Sequence, residues 1–146
     1  MVKKVSILGS TGSIGEQTLS VIAKNKEKFN VHSLSGGENI NLLLKQSADF
    51  KPKIISVRKK DDALKLKKNP LLRKIKILNG DIGLKEIGLS KEADILVSAT
   101  SGVSSLIPTL EFLKLGKRVC VASKEIFLLL GNKITEVANK YSGEVI

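Results

Sequence analysis

The sequence predicts a three-layer α/β domain with a mostly parallel sheet, and three observations carry that prediction. Short apolar runs alternate with amphipathic stretches of helical period along the whole chain. The connections between them are short, and the first is a glycine turn, Gly9-Ser-Thr-Gly12-Ser-Ile-Gly15. Apolar runs of this length bury themselves when helices cover both faces of one sheet, the arrangement that alternating strands and helices produce.

Lys3–Leu8 reads as a buried strand ended by the glycine turn, after which residues 16–24 take up a helical period. Residues 31–34 form the second strand, Gly36-Gly37 ends it, and a helix over 39–47 carries Ile40, Leu42, Leu43 and Leu44. Pro52 precedes a third strand at 53–57. A charged helix at 61–68, a break at Pro70, a fourth strand at 75–78 and a short helix at 84–88 follow. Residues 94–99 are the fifth strand, ended by Thr100-Ser101-Gly102. Ser104 or Ser105 is placed to cap a helix running to Lys114, with Pro108 tolerated in its first turn. The sixth strand is 118–122. Residues 126–141 read as one longer amphipathic helix, interrupted or tightened near Gly131. Ser142-Gly143 then turns into Glu144-Val145-Ile146, the start of another strand, so the polypeptide is expected to continue past 146.

A length of 146 residues suffices for one domain with a sizeable core, here residues 1–146. With 42% hydrophobic and 27% charged residues, extended disorder and fibrous structure are excluded. The single cysteine, Cys120, rules out a disulfide framework and a Cys-rich zinc site. Apolar stretches fall far short of the ~18 residues a membrane span needs. Met1-Val-Lys-Lys-Val5 leads into a run broken by Gly9 rather than into a signal-peptide core, so a cytoplasmic protein with no membrane partner is expected. The net charge of +11, from 25 Lys and Arg against 14 Asp and Glu, points to an anionic partner without identifying it. Only Tyr141 and four Phe are available for stacking, and no zinc-finger or RNA-binding strand motif is present, so nucleic acid is not expected. Phosphate-bearing small molecules fit the same charge.

In the glycine turn, Gly9 permits a tight exit from the strand, Gly12 lets the backbone approach a pyrophosphate, and Gly15 lets the helix pack close to the sheet. The amides opening that helix then face the anion. Ser10, Thr11 and Ser13 add hydroxyl donors without bulk, and Ile14 is expected to anchor the turn from beneath. Strand, glycine turn and helix at the head of a repeating strand-helix pattern read as a Rossmann-like nicotinamide dinucleotide site; the Lys and Ser or Thr of a P-loop are absent after Gly15. An acid at the end of the second strand would bond the adenine ribose of NAD, but that position holds Ser35, which leaves room for the 2′-phosphate of NADP. Glu38 nearby would repel that phosphate unless turned away. Arg58, Lys59 and Lys60 either offset Glu38 or form a solvated turn, and both readings stand.

Ala99, Thr100, Ser101 and Gly102 follow the fifth strand, where small residues let the backbone pass beside the nicotinamide half of the cofactor; a serine-rich helix cap is the plainer alternative. In Ala122-Ser123-Lys124-Glu125, Lys124 is placed to reach an anionic substrate and Glu125 to act as a first-turn capping charge. His32 and Cys120 lack the neighbours that acid–base or thiol catalysis requires.

Taken together these segments closely resemble the amino-terminal domain of the 1-deoxy-D-xylulose 5-phosphate reductoisomerase family, over essentially the whole chain. The family's Gly-Ser-Thr-Gly-Ser-Ile-Gly falls unchanged on Gly9 to Gly15, and Gln-Thr-Leu on Gln17 to Leu19. Its Gly-Lys-Asn or Gly-Arg-Asn falls on Gly37-Glu38-Asn39, where Glu38 replaces the basic residue expected beside the NADPH 2′-phosphate. Its Ser-Ala-x-x-Gly falls on Ser98 to Gly102, and Pro-Thr-Leu on Pro108 to Leu110. Its Ala-Asn-Lys-Glu-Ser falls on Ala122-Ser123-Lys124-Glu125-Ile126, with the asparagine facing the nicotinamide and the final serine both replaced.

The resemblance implies cofactor contacts at Gly9 to Gly15, Gly37, Glu38, Asn39, Ala99, Thr100, Ser123 and Glu125, and a substrate contact at Lys124. It implies a homodimeric parent enzyme of isoprenoid biosynthesis that binds Mg or Mn and a phosphorylated small-molecule substrate. That enzyme rearranges 1-deoxy-D-xylulose 5-phosphate through an aldehyde and reduces it with NADPH to 2-C-methyl-D-erythritol 4-phosphate. The metal-binding Asp-Ser-Glu begins just past a segment like Gly143 to Ile146, so no complete catalytic or metal site is expected within this chain, and the isolated fragment is expected to be inactive. The alternatives are another dehydrogenase with a similar glycine turn, such as a homoserine or semialdehyde dehydrogenase, and a non-enzymatic dinucleotide-sensing domain.

Overall fold

The computed structural model describes residues 1–146. Strands and helices alternate: β1 (Lys3–Leu8), α1 (Ser13–Lys24), β2 (Phe29–Ser35), α2 (Ile40–Phe50), β3 (Ile54–Val57) and α3 (Lys60–Lys67). A 3-10 turn at Pro70–Leu72 leads to β4 (Lys76–Asn79), α4 (Gly80–Gly88), β5 (Ile95–Ser98), α5 (Leu106–Lys114) and β6 (Arg118–Val121). Then come α6 (Lys124–Leu130), α7 (Lys133–Tyr141) and β7 (Glu144–Val145).

All strand pairings are parallel, in the order β4-β3-β2-β1-β5-β6-β7. The chain winds outward from β1 in one direction, then returns to the other side of β1 with β5. Leu8 at the carboxyl end of β1 therefore stands opposite both Ser35 and Ser98. A bulge shifts the register of β1 against β2, with Val5 opposite Val31 and Ser6 opposite Ser33, so that His32 is the extra residue.

Alternation along each strand sends side chains to opposite faces, and two apolar cores result. Val5, Ile7, Leu34 and Ile55 pack with Leu19, Ile22, Leu43 and Leu66 from α1, α2 and α3. Leu8, Leu96 and Val119 pack with Ile87, Phe112, Ile126 and Ile134 from α4, α5, α6 and α7. The expected three layers are thus present, and the strand at 144–145 pairs with β6.

The interruption expected near Gly131 is present: the segment forms two helices, because Gly131 adopts φ 50° and ψ −129°, outside the helical region. Two local expectations are corrected. α4 begins at Gly80 rather than 84. Gly83 lies within that helix because a Cβ there would collide with the Ser56 hydroxyl of β3, so this glycine marks close helix–sheet packing rather than a break. Neither Ser104 nor Ser105 caps α5 with its side chain; the Ser105 hydroxyl instead accepts from Ser98 Oγ at 2.8 Å and Thr100 Oγ1 at 2.7 Å.

At the amino ends of the strands, the Lys117 ammonium donates to the carbonyls of Ser90 (3.3 Å), Lys91 (2.6 Å) and Ala93 (2.5 Å) and stands over the Phe112 ring. One cation thereby ties the α4–β5 connection to β6.

Candidate functional site

Where the strand order reverses, the carboxyl ends of β1 and β5 diverge and open a crevice of about 660 Å³. Its floor is the turn after β1. Gly9 has φ 83°, and a Cβ there would lie 2.7 Å from the Ala99 carbonyl oxygen, so the turn after β1 and the end of β5 approach as closely as backbone permits. The Gly9 amide donates to both the carbonyl (3.0 Å) and the hydroxyl (3.1 Å) of Ser35, and the Ser10 amide to the same carbonyl at 2.8 Å. The Gly12 amide donates to Gly9 O at 3.2 Å.

The first intrahelical bond of α1 runs from Glu16 N to Gly12 O. This leaves Thr11, Ser13, Ile14 and Gly15 as the amides of the turn without a protein acceptor, at the positive end of a helix. The Ser10 hydroxyl is engaged: it donates to Gln46 Oε1 at 2.8 Å while Gln46 Nε2 donates back to Ser10 O at 2.9 Å, all buried. Ile14 does not anchor the turn from beneath; it is 44% exposed, and the buried positions of α1 are Gly15, Leu19 and Ile22. The helical period places Ile14 on the outer face.

Ser35, Gly36, Gly37, Glu38 and Asn39 form the wall after β2, joined by Val57 and Arg58 after β3. These loops are tied through their backbones, Gly36 N to Ser56 O at 3.0 Å and Arg58 N to Gly37 O at 3.4 Å. Asn39 caps α2, accepting from Leu42 N at 3.1 Å. Within the 58–60 basic run, which is exposed throughout, Lys59 approaches Glu38 to 3.3 Å, an exposed pair on a solvated turn.

The opposite wall comprises Ala99 to Ser104, with Gly80, Asp81 and Leu84 from α4. Ser123, Lys124 and Glu125 stand beside the crevice rather than in its wall. The buried Ser123 hydroxyl reaches Gly102 O at 3.3 Å and Glu125 Oε2 at 2.9 Å, holding the start of α6 against the β5 loop. Glu125's own amide, followed by the Ser123 hydroxyl, holds its carboxyl below the usual range, so it is an ionised first-turn charge. Lys124 is exposed at the first position of α6. No three His, Cys, Asp or Glu side chains converge in a way that would hold a metal ion. Cys120 is half-buried on β6, where burial raises its thiol pKa, and His32 is buried on β2 at the far end of the sheet.

Sequence reasoning missed Gln46, Asp81 and Leu84. Gln46 carried a readable signal, since it lies three residues after Leu43 on the buried face of α2, where an unpaired amide would be costly. Asp81 and Leu84 enter only through the path of α4 across the end of the sheet.

A doubly wound parallel sheet, with a glycine turn lining a crevice at the strand-order reversal and leading into the first helix, places this chain in the Rossmann-like α/β class. A sequence profile of 1-deoxy-D-xylulose 5-phosphate reductoisomerase matches residues 5–131, and the chain belongs to that family. It is 47% identical over 129 residues to the reductoisomerase of Caldanaerobacter subterraneus subsp. tengcongensis, an alignment covering 88% of this chain and 33% of that protein. It is 38% identical over 148 residues to that of Desulforamulus reducens, covering 100% of this chain and 38% of the relative. The chain thus spans little more than a third of the length of such relatives.

Among solved structures, a DOX-P reductoisomerase in complex with NADPH, fosmidomycin and magnesium superposes with a TM-score of 0.91 at 30% identity, over 99% of this chain and 36% of that one. The Zymomonas mobilis reductoisomerase in complex with NADPH gives 0.91 at 25% identity, over 100% of this chain and 38% of that one. A hyperthermophilic archaeal homoserine dehydrogenase, at 18% identity and a TM-score of 0.67 over 100% of this chain and 43% of that one, shares the fold alone.

Proposed function

We propose that residues 1–146 form the nicotinamide dinucleotide-binding domain of a reductoisomerase and that the cofactor is NADPH. The observation that carries this reading is the turn after β1: Gly9, Thr11 and Gly12 line the crevice, the amides of Thr11, Ser13, Ile14 and Gly15 have no protein acceptor at the start of α1, and a Cβ at Gly9 would block the close approach of this turn to Ala99. Those amides and the α1 dipole would hold the pyrophosphate, with Gly12 leaving its path clear. Ser10 supports the turn through Gln46 rather than by donating to the ligand. Gly37, Glu38 and Asn39 line the adenosine side, and Ala99 and Thr100 the nicotinamide side. Ser123 and Glu125 brace the nicotinamide end through Gly102.

The cofactor supplies hydride when bound; the chain's own part is to fix its ring against the Ala99–Thr100 backbone and to exclude water on that side. Lys124 would meet the anionic substrate. The His, Cys, Asp and Glu present do not fit a divalent cation, so Mg or Mn would be held by residues other than these. The full-length protein, on this reading, converts 1-deoxy-D-xylulose 5-phosphate to 2-C-methyl-D-erythritol 4-phosphate as a cytoplasmic homodimer, and the 146 residues alone bind cofactor without turnover. Membership of the family supports this, and no helix is long and apolar enough to cross a membrane.

Calorimetric titration with NADPH, NADP, NADH and NAD tests the reading, and no heat from any of them at millimolar concentration with a folded protein would sink it. The Gly12→Val variant provides the local control. A Cβ at Gly12 meets only Gly9 O, at 3.5 Å, and its backbone is extended, so the fold tolerates the change. Affinity should drop at least about tenfold, ~1.4 kcal/mol, as the side chain crowds the pyrophosphate path.

A further inference from the structure

We infer that Arg58 recognises the adenosine 2′-phosphate that distinguishes NADPH from NADH, while Lys59 neutralises the Glu38 carboxylate that would repel it; this rests on the dinucleotide reading of the crevice. The charged residues lining the crevice are Glu38, Arg58 and Asp81, so Arg58 is its one cation. Asp81 lies in the first turn of α4, where the helix dipole offsets its charge. Glu38 occupies the loop after β2, beside which the ribose of a dinucleotide sits, and Lys59 pairs with it at 3.3 Å.

Arg58, one residue before that lysine, has no carboxylate partner of its own. It stands at the end of the neighbouring strand, a spacing of about 4.8 Å, and its amide donates to Gly37 O in the same wall. Its guanidinium is a planar fork suited to two parallel bonds to a phosphate, a geometry lysine does not offer. The acid has taken the β2 loop and the base the β3 loop, and the backbone bonds between the loops keep both at the ribose. Glu38, paired with Lys59, lies in the same wall of the subsite, and Arg58 is its phosphate ligand.

Titration of NADPH and NADH into the 146-residue protein and its Arg58→Ala variant tests this. Arg58 is exposed at the crevice mouth, so its removal leaves the cores untouched. The expected result is a preference of the parent chain for NADPH, a loss of NADPH affinity of about tenfold or more in Arg58→Ala, and NADH affinity held within about twofold. Lys59→Ala should also weaken NADPH selectively, by unmasking Glu38, and adding Glu38→Gln should restore it. Equal losses for both cofactors, no loss for either, or a parent chain that binds both without preference overturns the assignment while leaving the crevice as a dinucleotide site. A folded parent chain that binds neither overturns the crevice reading itself, and this assignment with it.

Discussion

At the amino ends of the strands, where each helix hands the chain back to the sheet, segments 3–4, 24–28, 51–53, 67–76, 91–94, 114–118 and 140–144 carry seventeen Lys and Arg against four Asp and Glu. That is a net of +13, so the rest of the chain, crevice included, sums to −2 against the total of +11. The same rule builds both ends. Helix C-termini point toward the amino-end face and are met by Lys24, Lys65, Lys67, Lys85 and Lys114 in last turns. Helix N-termini point toward the crevice and are met by Glu16, Asp61, Asp62, Asp81 and Glu125 in first turns. On the proposed reading, attraction of the crevice for an anion rests on oriented amides and on Arg58, and the net charge of the chain says little about it.

The largest effect expected from breaking this contrast is at the crevice floor. Gly9→Val forces a β-branched side chain into a positive φ and against the Ala99 carbonyl, which should cost about 3 kcal/mol or more. Urea unfolding measures it; a loss under about 1 kcal/mol would mean that the two loops can separate freely. At the opposite end, Lys117→Met leaves three carbonyls without their shared donor and should cost ~1–2 kcal/mol, with cofactor affinity unchanged by calorimetry.

A smaller effect is pH-dependent. Burial holds the His32 pKa below 6.5, against the opposing pull of Glu92 and with Lys53, Lys4 and Lys117 adding to the lowering. The neutral ring is the folded form, so its contribution is complete above about pH 6.5 and declines as pH falls below that. A hydrogen bond from Lys53 at 2.5 Å holds Glu92 below the usual carboxylate range, so its contribution persists to lower pH and is lost as the solution falls through that depressed value. Thermal unfolding followed from about pH 7.5 to about pH 2.5 should show two successive declines, the second beginning below about pH 4.5, and His32→Gln should remove the upper one. The smallest effect expected is none: changing Lys67, Lys68, Arg73 and Lys74 together to Gln should leave NADPH affinity within about twofold at physiological salt. The four residues of β4 set that segment roughly 13 Å from the crevice, beyond a screening length of about 8 Å.

Much of this architecture was legible in the residues themselves. Alternating apolar runs and helical periods gave all seven strands within one or two residues, because strands buried on both faces are continuous apolar runs. The glycine turn gave the floor of the crevice. What stayed hidden depends on how the chain folds back on itself: the bond between Ser10 and Gln46, 36 residues apart, and the engagement of Ser105 by Ser98 and Thr100 in place of a capping role. Gly80 and Gly83 concealed the start of α4, since propensity reads glycine as a breaker, whereas a φ of 65° favours it at Gly80 and packing against β3 requires it at Gly83.

The division of amides in the turn after β1 also sets a pattern in deuterium exchange. Gly9, Ser10 and Gly12 already have carbonyl partners and should exchange slowly in the ligand-free chain, whereas Thr11, Ser13, Ile14 and Gly15 should exchange at nearly open-chain rates. A bound anion would slow only the second group. Seven consecutive residues would then report, amide by amide, both the integrity of the turn and the arrival of a ligand.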